Sequence, residues 1–230
     1  MSTDPVPTTE VFKDWFNAPL YRDIGSSLKQ ACRKFDENRF LRLTLEGLAE
    51  REVMARLRQT SIAAAASLPG DFPEKLTVIR QVAKPTENGM IGVWYSDFVG
   101  QFGLDHFELS LEALAEFTKL GSAEFAIREF LLKDPTATLR VMKRWSRHED
   151  EHVRRLASEG SRPRLPWGKR LGFLVEEPRP TRAILQNLRA DPSLYVRKSV
   201  ANHINDIAKD HPDYVIDLVT SWNQDSPESS

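Results

Sequence analysis

Val153 to Glu159 reads VRRLASE, and 43 residues further on Val196 to Asn202 reads VRKSVAN. Both stretches sit where apolar residues recur every three or four positions, the spacing that lines one face of a helix rather than a strand. The same spacing extends outward to LSLEALAEFTKL (Leu109, Leu111, Leu114, Phe117) and TLRVMKRW (Leu139, Met142, Trp145). Asp134-Pro135, Glu177-Pro178, Asp191-Pro192 and His211-Pro212 each put a proline at or near a first helical turn, where its missing N–H breaks no bond. Helices are therefore expected at 105–119, 122–132, 135–147, 150–160, 180–190, 193–209 and 212–222, falling into pairs. Strand signals are nearly absent. The one stretch that could run extended, MIGVWYSDFVG from Met90 to Gly100, is expected to be an ordered loop or short helix packed on the core.

The fold class is all-α. The 43-residue echo, on the second helix of each pair, has the period of HEAT-like arrays, in which helix pairs stack and one row of helices lines a concave surface. In such a solenoid Arg154, Arg155, Arg197 and Lys198 occupy near-equivalent positions of neighbouring repeats, as a basic track along a phosphate backbone requires. The chain's 230 residues show no break in composition, so one domain over 10–222 is expected, with disordered tails at 1–9 and 223–230. A lone Cys32 cannot form an internal disulfide, no charged-then-apolar leader opens the chain, and TSIAAAASLPG is too short and polar to span a bilayer. These features point to a reducing cytoplasm.

The net charge of −1 conceals an uneven distribution: residues 140–200 hold 15 Lys and Arg against 7 Asp and Glu, a net of +8. Such an island can neutralise phosphates locally; the alternative is a set of solvated helix faces. Within it, His148-Glu149-Asp150-Glu151-His152 fits the H-E-x-x-H zinc pattern. It is read as a decoy, with no metal and no cofactor expected, because it lies where one helix ends and the next begins, crowded by Arg144, Arg147, Arg154 and Arg155. More informative is Arg162-Pro163-Arg164-Leu165-Pro166-Trp167, where two prolines stiffen a loop bearing two guanidiniums and an indole. Arginine suits phosphate and the indole offers a stacking face; alternatively the indole is buried with the arginines lying over it. Glu159 opposes the electrostatics of a DNA groove, so it is either a local ion-pair partner or meets a cationic ligand group, and alkylated bases are cationic.

Taken together, HVRRLASEGSRPRLPW, SAEFAIR (Ser122–Arg128), GLDHFELSLEAL, VRKSVANHINDIAKDHPD and FKDWFNAPL resemble the AlkC branch of the AlkC/AlkD-type alkylpurine DNA glycosylases, built from HEAT-like repeats. The resemblance runs from about Val11 to Trp222. It implies hydrolysis of the N-glycosidic bond of small cationic lesions such as 3-methyladenine in double-stranded DNA, as part of base excision repair. Methylated cytosine or adenine are implied as further substrates, and the lesion is processed without full extrusion into a pocket. Residue by residue, it implies that Glu159, Glu124 and Asp206 are the acidic groups at the lesion. Trp167 would touch DNA there, Phe125 would face the lesion beside Glu124, and Arg155 and Arg162 would hold phosphates, with Arg164 and Arg197 as further candidates. A bacterial cytoplasmic monomer acting on the nucleoid is expected.

The chemistry agrees with the resemblance. A cationic base leaves as a neutral molecule and needs little acid help, so what requires stabilisation is the oxocarbenium-like sugar, and a carboxylate supplies that. The alternatives are that Glu124 caps its helix near Ser122, that Glu159 only pairs with Arg155 or Arg162, and that Asp206 is a solvated helix residue. The main rival function is a HEAT-like DNA-binding protein without catalysis. Two departures stand out. Glu129 replaces the proline of the usual EFAIRPFL, where only a helix start is expected to change. No run of strands follows VTSWNQDSPESS, so the immunoglobulin-like C-terminal domain of some relatives is not expected.

Overall fold

The computed structural model describes residues 9–86 and 88–224, and among these every regular element is helical. The chain divides into two compact units, Met1–Ala126 and Ile127–Ser230. The first holds α1 (Thr9–Trp15), α2 (Ala18–Ala31), α3 (Glu37–Leu45), α4 (Val53–Ser67), α5 (Phe72–Val82), α6 (Gly89–Phe102) and α7 (Phe107–Phe117). Local chemistry sets several of these starts: Asn17 and Asp36 cap α2 and α3, and Asp71 with Glu74 forms a reciprocal capping box on α5. α4 packs on both α3 and α6, burying Leu57, Ala63 and Ala64 together with Val93, Trp94 and Phe98.

The expectation for MIGVWYSDFVG is corrected: it forms most of α6, a 14-residue helix. Its apolar residues run all round the helix because α6 is the buried centre of its unit, so no one-sided periodicity marks it. Gly92 makes this packing possible, since a Cβ there would lie 2.4 Å from the Leu120 carbonyl oxygen. The expected helix 122–132 is also shorter. Gly121 is pressed against the backbone of Gly92 and Val93, and the Ser122 hydroxyl donates to Glu124 Oε2 at 2.8 Å, so regular helix begins only at Ile127.

The second unit holds α8 (Ile127–Lys133), α9 (Pro135–Trp145), α10 (Glu151–Glu159), α11 (Gly172–Glu176), a 3₁₀ turn at Arg179–Thr181, α12 (Arg182–Leu188), α13 (Leu194–Ala208) and α14 (Pro212–Gln224). Each of the four prolines read as punctuation stands within two residues of a helical start. Only α11 lacks a counterpart among the expected helices of this unit. The two echoing segments lie on α10 and α13, which pack directly on each other, while α9 and α12 also pack on α10. Met142, Val153, Leu156, Ala157, Ile184, Leu185, Val196 and Val200 form the core between them. The expected tails lie outside the described residues, except that Thr9 opens α1 and Asn223 and Gln224 close α14. Among the described residues no helix is long and apolar enough to cross a membrane.

Candidate nucleic-acid interface

α10 begins where Asp150 Oδ1 accepts from the backbone N–H groups of His152 and Val153. Its inner face buries Val153, Leu156 and Ala157, and the same register turns its last residue, Glu159, inward, leaving it 5% exposed. Gly160 follows because a Cβ there would stand 2.5 Å from Ile127 Cγ2. Glu159 is held at both oxygens. Arg162 Nη1 donates to Oε1 at 2.6 Å, with Arg155 Nη2 at 3.6 Å from the same oxygen, and the Ser199 hydroxyl of α13 donates to Oε2 at 2.6 Å.

Arg162 bridges two acids. Its Nε donates to Asp206 Oδ2 at 2.9 Å, and Lys209 Nζ reaches Asp206 Oδ1 at 3.4 Å. Arg162 is 8% and Asp206 3% exposed. Burial opposes the Arg162 charge, but the hydrogen bonds it donates to Asp206 and Glu159 outweigh it and raise the guanidinium above its ordinary value. Beside the cluster, His203 is fully buried with Nδ1 3.0 Å from the Ser158 carbonyl oxygen, so Nδ1 carries the proton and donates. Burial pushes its pKa down to about 3, against the opposing pull of that hydrogen bond.

The loop from Gly160 to Lys169 is secured from within. The fully buried Arg128 donates Nη1 to the carbonyls of Gly160 and Arg162 at 3.0 and 2.8 Å, Nη2 to that of Pro163 at 3.5 Å, and Nε to that of Lys169. Arg164 forms a two-pronged ion pair with Asp210, and that hydrogen bond holds the Asp210 carboxyl below its usual range. Out of this frame projects Trp167, 53% exposed, at φ +62°. A bulky residue in the left-handed region stores on the order of 1–3 kcal/mol of backbone strain, and such strain concentrates at functional sites.

The remaining candidates separate. Arg154 makes a two-pronged pair with Asp191, and Arg197 donates to the carbonyls of Asp191 and Pro192, so both hold the turn before α13. Arg155 lies over the Tyr195 ring at 5.0 Å, and Lys198 is exposed on α13. Arg154 and Arg162 turn inward, where carboxylates from distant sequence meet them. Glu124 and Phe125, both half-buried, belong to the first unit, where Glu124 pairs with Ser122. Asp206 is buried and ion-paired, in contrast to its alternative reading as a solvated helix residue. In the zinc-like pentad, His148 lies outside α10 and accepts from the Asp150 N–H, while His152 sits edge-on to Tyr195. Among the described residues no group of three or more His, Cys, Asp or Glu is placed to hold a metal. Glu129, at the variant position, pairs with Lys169 at 2.7 Å. Arg128, Ser199 and His203 were not singled out from sequence, since nothing in their local pattern differs from ordinary helix residues.

An all-helical unit that packs acidic side chains among arginines beneath a strained, projecting indole calls for comparison with helical proteins that act on DNA. The model for the DNA alkylation repair enzyme family matches residues 118–229, and the chain is similar to helical-repeat proteins of the AlkC type. The Pseudomonas fluorescens alkylpurine DNA glycosylase AlkC, solved bound to DNA containing an abasic site analog, superposes with a TM-score of 0.90 at 45% identity, covering 97% of this chain and 62% of AlkC. An uncharacterized protein of Bacillus subtilis strain 168, YhaZ, is 42% identical over 218 residues, 94% of this chain and 61% of its own length. The chain thus spans about three-fifths of both relatives. AlkD2 from Streptococcus mutans, at 23% identity and a TM-score of 0.59, covers 82% of this chain and 91% of AlkD2 and shares the fold.

Proposed function

We propose that the protein is a DNA glycosylase that hydrolyses the N-glycosidic bond of small cationic N-alkylated bases, 3-methyladenine foremost, in double-stranded DNA. The observation that carries this reading is the buried pair of acids, Glu159 and Asp206, bridged by Arg162 at the root of the loop that projects Trp167. In the reaction the C1′–N bond breaks and the base departs neutral with the electron pair. A water oxygen bonds to C1′ and loses its proton to a carboxylate. Glu159, assisted by Asp206, stabilises the developing positive sugar and orients that water. A neutral leaving group makes both metal and strong general acid unnecessary, and selection then follows the charge and lability of the lesion rather than a pocket around a flipped base. Trp167 rests against the lesion nucleotide, while Lys198 and Arg155 meet the backbone.

The purified protein is expected to release 3-methyladenine from methylated DNA in the presence of a chelator. Glu159→Gln is expected to slow release about a hundredfold or more while DNA affinity stays within a few fold. Full activity in that variant would sink the catalytic assignment. Tight lesion binding without release by the wild type would favour a non-catalytic DNA-binding protein.

A further inference from the structure

We propose that Ser199 is a positioning residue for Glu159, holding the carboxylate in one orientation for the glycosylase reaction on which this inference rests. Ser199 lies on α13, 40 residues from Glu159 in sequence, and is 2% exposed. A carboxylate can only accept, so the 2.6 Å contact at Oε2 makes the serine hydroxyl the donor. Arg162 holds the other oxygen from the loop that follows α10. Each oxygen is thereby fixed from a different structural element, which a single partner could not achieve.

The charged groups around Glu159 define what remains when the hydroxyl is removed. Arg155 approaches from its own helix and Arg162 from the loop, while Asp206 and Lys209, both on the α13 side, act through Arg162. His203, also on α13, is turned to the Ser158 carbonyl and kept neutral by burial. Ser199 is the sole uncharged donor to Glu159 among the described residues, and the one at Oε2. Its loss frees the carboxylate to rotate about its Arg162 anchor.

The experiment compares Ser199→Ala and Ser199→Thr with the wild type in release of methylated base. The ¹³Cδ resonance of Glu159 at neutral pH is recorded alongside, assigned through Glu159→Gln. Ser199→Ala is expected to lower kcat about tenfold, the effect of losing one hydrogen bond to a charged group, with KM changed less than about twofold. The Glu159 resonance is expected to shift. Ser199→Thr, which keeps the hydroxyl, restores the resonance and most of the rate. An unmoved Glu159 resonance, or a loss of rate that follows Tm and is not restored by threonine, overturns the proposal in favour of plain helix–helix packing. Absence of base release by the wild type would defeat the glycosylase reading separately. In that event the Glu159 resonance still decides the hydroxyl's role: unchanged in Ser199→Ala, it overturns the hold itself.

Discussion

Arg162→Ala removes the one side chain shared by Glu159 and Asp206. Glu159 then keeps the Ser199 hydroxyl and an Arg155 nitrogen at 3.6 Å, and Asp206 keeps only Lys209, at 3.4 Å and largely solvent-facing. Removing one partner of a buried ion pair costs about 3–5 kcal/mol, because the other partner stays desolvated without compensation. Since Glu159 retains its hydroxyl donor, the lower end applies, about 3 kcal/mol, which for a chain of this size lowers Tm by roughly 6–12 °C. Urea melts at pH 7 measure it. Adding Glu159→Gln and Asp206→Asn should recover much of the loss by removing the buried charges. A loss below about 1 kcal/mol, accompanied by weaker DNA binding and a salt dependence flattened by about one ion, would refute the reasoning and put Arg162 on a phosphate track.

Two further outcomes follow from the same unit. His203 has a folded pKa of about 3 against an ordinary 6.5, so the unfolded chain binds the additional proton between those values. The stability this contributes is complete above pH 6.5 and is lost as pH falls toward 3, with a slope of up to about 1.4 kcal/mol per pH unit; urea melts at pH 6.5 and 4.5 should show that slope lessened by about one proton in His203→Asn, and equal slopes would contradict the assignment. Trp167→Asn places at φ +62° a residue that tolerates the left-handed region, so thermal melting should show no loss of Tm while base release falls at least tenfold; a fall in Tm with activity retained would make the indole structural.

Much of this architecture could be read from the chain because its signals are local. Proline after an acidic or imidazole residue stands at or near a helical start at Pro135, Pro178, Pro192 and Pro212, and the echo between Val153 and Val196 identifies the two helices that pack together. α6 escaped because a helix apolar on all sides has no period to detect. Among the candidate site residues, Glu159 was legible as an acid out of place in a basic island. The direction in which its neighbours point was not. Arg162 and Arg154 read alike in sequence, and only the fold brings Asp206, 44 residues away, to the one and Asp191 to the other. Ser199 is invisible in sequence because a serine on a helix carries no pattern of its own, and its role exists only where α13 meets α10.

Arg128 gives the projecting loop an all-or-none character. One guanidinium, unreachable by solvent, grips carbonyls at both ends of the segment and between them. The tryptophan therefore rides on something closer to a casting than a hinge: its height above the helices is inherited from a residue at the start of α8, not negotiated with whatever it touches. A tip so mounted gauges a surface by whether that surface gives way to it.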